Sequence, residues 1–588
     1  MKELKWWFVL GVLLSVCFLT YSNSLHSPFM ADDHQIFLDE KIKNIKFILN
    51  SFLFPSQDQG HGESFSASGL YYRPLAYVIS MLSYLAFGNA PYGYHVLNLF
   101  LFTLMCFTLY LFVELAFKDK LLAFIASILF AVHPVNVFFV NYITSGIHSV
   151  RFIAMFLSVI LFLKAANGAS KNILYPLSLS CFTAALLCHE TSIVLPFYIL
   201  FTSVFFLKDG FGRAVSRTWP FFAMLLFYLF FRVHYAGISG NLSNPLENVN
   251  SYGFMLLIAA FSKIIFLYFS KLLFPDSVFF LFNVILMKKF LSIWIGGLLG
   301  LFLGWFILFK RDPKGMPFFC FTWIVLGFLP VTMASLSYPH LGLVLEPQWL
   351  TFSSAGFFLF IVWAGLRVYR KWNKWALRLL FVGSLTGLIL ITRYNNWIWA
   401  DEIRYYDHWG VNHDFSGHME YSQMGNIYLE REDYARARYC YHQALLEGRP
   451  EVSSVAYNDL GIIDRDQRLL GPAKEEFLLS LKYDPNNISA LGNLAWIYLQ
   501  QGDLNLAKPF FLRVLQLNKY SLEARLNLAY ISEQGSDLNG AIGLLKQNLD
   551  IVPDESRSLA ALVEIYTRLG DKANAQKYSQ MLIERERS

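Results

Sequence analysis

The first 400 residues are a succession of apolar runs separated by short polar breaks, and no other feature limits the fold so strongly. Hydrocarbon about 30 Å thick offers no water to peptide groups, so each run must cross as a helix of roughly 20 residues that satisfies its own N–H and C=O groups. Eleven candidate spans emerge: Trp6–Tyr21, Tyr94–Phe117, Leu121–Val135, Phe152–Leu163, Ile173–Leu187, Ser192–Leu207, Trp219–Phe231, Phe290–Phe309, Met316–Met333, Phe352–Arg367 and Trp375–Thr392. At 55% hydrophobic and a mean hydropathy of +0.42, the 588-residue chain is far too apolar for a soluble globular protein. Lys2 and Lys5 precede a first run with Trp6-Trp7 at its edge and no small-x-small cleavage site, which predicts an uncleaved first span.

Basic residues orient these spans. Lys2/Lys5, Lys118/Lys120, Lys164/Lys171, Lys208/Arg213/Arg217, Lys310/Arg311/Lys314 and Arg370/Lys371/Lys374 all fall on one side, the cytoplasm. That count holds if Phe254–Phe274, which carries Lys263 and Lys271, lies on the outer surface rather than crossing. Everything after Thr392 is then outside, as are Ser22–Gly93, Pro134–Arg151, His234–Lys289 and Ala334–Thr351. The net charge of +6 sits beside membrane spans and forms no patch for nucleic acid, which is excluded as a partner. Five of six cysteines lie in apolar runs with no metal or disulfide spacing.

Near Asp401 the composition changes, dividing the chain into a membrane domain (1–400), a linker (401–417) and a charged helical domain (418–588). The last of these repeats with a 34-residue period, after a two-residue insertion near Pro450. Small residues recur at the eighth position (Gly425, Gly461, Ala495, Ala529, Val563) and alanine at the twentieth (Ala437, Ala473, Ala507, Ala541, Ala575). Tyr441, Phe477, Phe511 and Leu545 fill the twenty-fourth position. The pattern resembles five tetratricopeptide repeats, which stack into an α-solenoid with a concave groove suited to a protein acceptor or partner. A spacer or dimerisation surface is the plainer reading.

The polar residues that stand out lie at the outer membrane edge. Asp32 and Asp33 follow the first span in Phe29-Met30-Ala31-Asp32-Asp33-His34, where a carboxylate pair so close to hydrocarbon needs a reason. An aspartate with a reference pKa of ~3.9 is ionised at neutral pH and can take the proton of an attacking hydroxyl. Arg73, with His148 and Arg151 behind it, adds basic residues to the same outer segments. His95, His133, His148 and His189 sit at membrane edges, where a lone histidine is more often structural, but they could converge with Glu190; Glu346 and Trp349 are further contacts.

The order Phe-x-x-Asp-Asp-His, Tyr71-Tyr72-Arg73-Pro74-Leu75, Gly93-Tyr94-His95-Val96-Leu97-Asn98-Leu99 and His133-Pro134-Val135 resembles GT-C glycosyltransferases. Among these it is most similar to the transmembrane-plus-tetratricopeptide O-mannosyltransferase-like proteins and their bacterial relatives. Glu190 with Pro196, Trp349 before Ser354-x-Gly356-Phe357, and Arg393 with Asn396-Trp397 extend the resemblance. It departs where such proteins often carry Glu and Arg, here Phe138/Phe139 and Ile147, and where they carry Lys-Glu, here His189-Glu190. The resemblance implies an all-α fold and inverting transfer of a sugar from a polyprenyl-phosphate donor to an acceptor hydroxyl, a protein Ser or Thr. Asp32 would be the base, with Asp33 orienting the acceptor or sharing a divalent cation with Asp32, and Arg73, with His148 and Arg151 behind it, would by position meet the charge growing on the phosphate leaving group. The setting would be a bacterial inner membrane with periplasmic repeats, the alternative being an endoplasmic reticulum with lumenal repeats. A non-catalytic scaffold presenting the repeat array is the competing function.

Overall fold

The computed structural model describes residues 5–30, 33, 72–168, 170–207, 210–234, 262, 265–266, 268–275, 280–282, 291–335, 343–345, 347–370, 374–412, 417–446 and 450–587. Asp32, His34 and Glu346 lie outside the described residues, as do most of Phe254–Phe274 and the side chain of Trp349. The chain forms two compact units that part between Tyr405 and Tyr406.

Each of the eleven apolar runs forms a helix. In chain order the first unit contains α1 (Trp6–Tyr21), α2 (Pro74–Phe87), α3 (Pro91–Phe117), α4 (Lys120–Val132), α5 (Gly146–Ala166), α6 (Lys171–Cys188), α7 (Leu195–Phe206), α8 (Phe211–His234), α9 (Leu291–Arg311), α10 (Met316–Ser335), α11 (Pro347–Tyr369) and α12 (Lys374–Trp399). By length and composition, seven helices among the described residues qualify as membrane spans, eight counting a bent pair. The difference from eleven arises partly because the α7 and α10 stretches are apolar but short by this measure and α4 counts only together with the turns after it. This is an integral membrane protein. Its lipid-facing side is plain on α12, where Leu379, Leu380 and Leu390 are 73%, 65% and 62% exposed. Where spans meet, small hydroxyl residues bring backbones close: Ser158 donates to the Ser178 carbonyl at 2.8 Å and Ser178 returns the bond at 2.6 Å, joining α5 to α6. Two three-residue strands, Phe280–Phe282 and Leu343–Leu345, pair antiparallel with Leu281 opposite Val344.

Two expectations are corrected. Pro134–Arg151, expected as an outer segment, is not a loose loop but packs into the core: after α4 the chain bends by 65° at His133-Pro134 and continues through three single turns. Val137, Phe139 and Val140 there are fully buried. Proline has no N–H for the ladder and clashes with the preceding turn, which ends α4. Secondly, α5 begins at Gly146, not Phe152, so His148 and Arg151 ride on a buried helix face.

The last span ends beside the first. Asn396 donates to the Thr20 carbonyl and to Asn23 Oδ1, both at 3.0 Å, and accepts from Asn141 Nδ2 at 2.9 Å. Arg393 donates to the Leu19 carbonyl at 2.5 Å and to Ser22 Oγ at 3.1 Å. The stretch expected as a linker holds a helix, α13 (Glu402–Asn412), inside which the two units part.

The second unit is a solenoid of five helical hairpins: α14 (Gly417–Glu430) with α15 (Tyr434–Leu445), α16 (Pro450–Asp466) with α17 (Leu470–Tyr483), α18 (Ile488–Gln500) with α19 (Leu504–Leu517), α20 (Leu522–Gln534) with α21 (Leu538–Ile551), and α22 (Ser556–Arg568) with α23 (Lys572–Arg587). The eighth and twentieth positions are where helices touch. A Cβ on Gly425 would come within 2.5 Å of the Tyr441 ring, and one on Gly461 within 2.7 Å of Phe477. Ala437, Ala473, Ala507 and Ala541 are fully buried.

Candidate active site

Asp33 is fully buried, and both carboxylate oxygens face backbone. Oδ2 accepts from the amides of Met30 and Ile143, each at 3.2 Å, and Oδ1 accepts from Thr144 at 2.8 Å. Burial pushes its carboxyl up to about 7, against the downward pull of these amides. Asp33 thereby ties the segment after α1 to the turns before α5. Among the described residues no cluster of three His, Cys, Asp or Glu is arranged to hold a metal.

Two of the four histidines are also architectural. His95 lies between the Val140 and Ser27 carbonyls at 2.9 and 3.1 Å. At the bend after α4, His133 Nδ1 accepts from the Val135 amide at 3.2 Å and Nε2 faces the Leu272 carbonyl at 3.1 Å. Non-helical backbone at membrane depth needs such partners.

The other two converge with the basic residues singled out from sequence. Arg73 caps the start of α2, and its guanidinium grips Glu190, at the turn between α6 and α7, in a bidentate pair of 2.9 and 2.6 Å. Tyr72 holds this approach through ring contacts with Tyr228 and Phe231 on α8. His189 Nδ1 accepts from the Thr191 amide at 3.2 Å, so its proton sits on Nε2, 3.8 Å from Glu190 Oε1. The Thr191 hydroxyl lies 3.0 Å from the same Nδ1 and takes a hydrogen bond from Arg151. A continuous polar chain therefore runs Arg151, Thr191, His189, Glu190, Arg73.

Arg151 is the anomaly. It is 1% exposed on α5, stacks over the Phe152 ring at 4.2 Å and donates to the Gln348 carbonyl at 3.2 Å, while its Nε is buried without a partner. One turn away, His148 has a buried, unpartnered Nδ1, with its ring 4.9 Å from that of His189. The charge of Arg232, at the end of α8, also reaches Glu190 and His189. A buried guanidinium is costly unless an anion faces it, and here Glu190 answers Arg73 directly. Thr191, Gln348 and Arg232 were not singled out from the sequence; only the adjacency of Thr191 to His189-Glu190 could have signalled one of them.

Fold and site define a class: a polytopic helical membrane protein with a tetratricopeptide solenoid. A family model for the tetratricopeptide repeat matches residues 476–508. The chain is similar to the human protein O-mannosyl-transferase TMTC3, 32% identical over 188 residues, covering 31% of this chain and 20% of that protein. It is also similar to mouse protein O-mannosyl-transferase TMTC1, 31% identical over 127 residues (21% of this chain, 14% of that one). A Caenorhabditis elegans protein O-mannosyl-transferase is 33% identical over 128 residues (21% of this chain, 18% of that one). The matched region thus spans about a fifth or less of these relatives. A solved structure of MamA, 20% identical, covers 28% of this chain and 95% of its own at a TM-score of 0.26, too low to carry an argument.

Proposed function

We propose that the protein is a membrane glycosyltransferase that moves a sugar from a polyprenyl-phosphate carrier to an acceptor hydroxyl, a protein Ser or Thr, on the outer face. Residues 1–400 would carry the catalysis, and the repeats of 418–588 would recruit the protein acceptor from the periplasm of a bacterial inner membrane. The names of the relatives support glycosyl transfer, and mannose is the first sugar to test. The observation that carries the reading is the buried Arg151 with its unpartnered Nε beside the unpartnered His148, an anion-binding arrangement at a membrane edge.

The acceptor oxygen attacks the anomeric carbon, the bond from that carbon to the phosphate oxygen breaks, and the polyprenyl phosphate departs with the electron pair. Asp32 takes the acceptor proton, and one displacement inverts the centre. Arg151, His148 and Arg73 balance charge on the departing phosphate, where preorganised donors in a water-poor site are most effective. Glu190 holds Arg73 in a fixed plane.

The test is transfer from radiolabelled polyprenyl-phosphate mannose to a Ser/Thr peptide by purified full-length protein. Arg151→Gln is expected to lower turnover by about 10²–10³, the usual loss for one charge-stabilising donor. Asp32→Asn is expected to abolish turnover without changing membrane abundance. Wild-type turnover in Asp32→Asn would remove the base assignment; no turnover by the wild-type protein, with in vivo function lost on groove substitutions and kept in Asp32→Asn, would favour the scaffold instead.

A further inference from the structure

The solenoid carries an open cleft of about 540 Å³ whose lining crosses three successive hairpins and includes Arg465, Ile488, Gly492, Asn493, Trp496 and Asn527. Gly492 is out of place by every structural criterion. It lies inside α18, where glycine is less favourable than alanine because the unfolded chain gains freedom and no side chain packs. Its backbone does not require glycine, and a Cβ there would meet nothing within 4 Å, unlike the crowded Gly425 and Gly461. Its counterparts in the other repeats, Ser422, Asn458, Leu526 and Ala560, all carry side chains.

Ile488, Gly492 and Trp496 recur every fourth residue and form one stripe along the groove side of α18. The absent side chain leaves a notch between Ile488 and Trp496, with Phe511 and Val514 also in the lining. The two charged side chains in the lining already have partners: Arg465 bonds Asp466 at 2.9 Å and Asn493 at 2.7 Å, and Glu523 pairs with Arg557 at 2.9 Å. The two lining charges are of opposite sign, so the cleft has no net charge of its own.

We propose that the notch over Gly492 is a specificity pocket for one bulky uncharged side chain, aromatic or branched aliphatic, of an extended polypeptide segment lying along the groove. A lining that crosses three neighbouring hairpins suits an elongated chain more than a compact small molecule, and around the notch the apolar side chains of Ile488, Trp496, Phe511 and Val514, with the two lining charges already paired, favour an uncharged side chain. The proposal rests on the reading of the repeats as the element that recruits a protein acceptor.

Full-length protein in lipid nanodiscs would be titrated against fluorescein-labelled Ser/Thr-rich decapeptides bearing a central Phe, Leu, Asp or Lys, read by fluorescence anisotropy. Phe and Leu peptides are expected to bind at least about tenfold tighter than Asp and Lys peptides, the scale of a filled anchor pocket. Gly492→Leu is expected to weaken the Phe peptide at least about tenfold, because it fills the pocket, while the melting temperature holds or rises as a helix gains a better former. Gly492→Ala is expected to raise the melting temperature. Binding lost in Asn527→Arg but unchanged in Gly492→Leu would overturn the notch and leave the groove reading standing. Absence of binding by every peptide to the wild-type protein would overturn both.

Discussion

Asp459 offers a test in which one proton reports on the repeat array. It lies on α16 at 8% exposure and accepts a hydrogen bond from Asn458 Nδ2 at 3.0 Å. Burial pushes its carboxyl from 3.8 up to about 7, with Asn458 pulling the other way. A carboxyl whose folded value lies above its unfolded one binds its proton more tightly in the folded chain. The stability it confers is therefore complete below pH 3.8, declines as pH rises, and is lost above about 7. A shift of about 3 pH units, at ~1.4 kcal/mol each, makes the ionised group a liability of about 4 kcal/mol at pH 8. Asp459→Asn keeps the shape and can still accept from Asn458. The variant is expected to match the wild type near pH 4, to exceed it by about 2 kcal/mol at pH 5 and by about 4 kcal/mol at pH 8. Urea-dependent hydrogen exchange of the α16 amides in the full-length protein, corrected for intrinsic rates at each pH, reads this directly. Equal protection of the two proteins at pH 8, or a larger gap at pH 5 than at pH 8, would refute the reasoning.

Two further perturbations test the packing. Gly461→Val forces a side chain into the Phe477 ring, which a Cβ alone would approach to 2.7 Å. Overpacking should destabilise by about 1–3 kcal/mol, seen as faster exchange in α16 and α17. Asn396→Leu removes three hydrogen bonds between the first span, the last span and Asn141. At roughly 0.6 kcal/mol for each interhelical bond, about 2 kcal/mol should be lost, measured as a lower melting temperature in detergent.

Much of the architecture was legible because it follows from periodicity. A run such as Trp6–Tyr21 can only be a helix in hydrocarbon, and its predicted bounds coincide with the observed ones. The repeat positions were readable because Gly461 and Phe477 must meet if two helices are to pack. In the site, Arg73, His148, Arg151, His189 and Glu190 do come together. Asp33, His95 and His133 bind backbone instead, and composition does not register that demand: an amide in a buried turn is invisible in a hydropathy profile, as is the carboxylate that answers it. The same blindness hid the turns after Pro134, whose apolar residues read equally well as the end of a span or as core.

The bonds from Asn396 and Arg393 to the tail of the first helix join positions some 370 residues apart in the chain, Arg393 to Ser22 being 371 and Asn396 to Thr20 being 376. The first helix emerges from the ribosome long before the groups that fasten its C-terminal end exist. Until α12 has inserted, the segment that leads on to Asp33 lacks those ties, so this edge of the membrane unit can close only as the final act of its assembly.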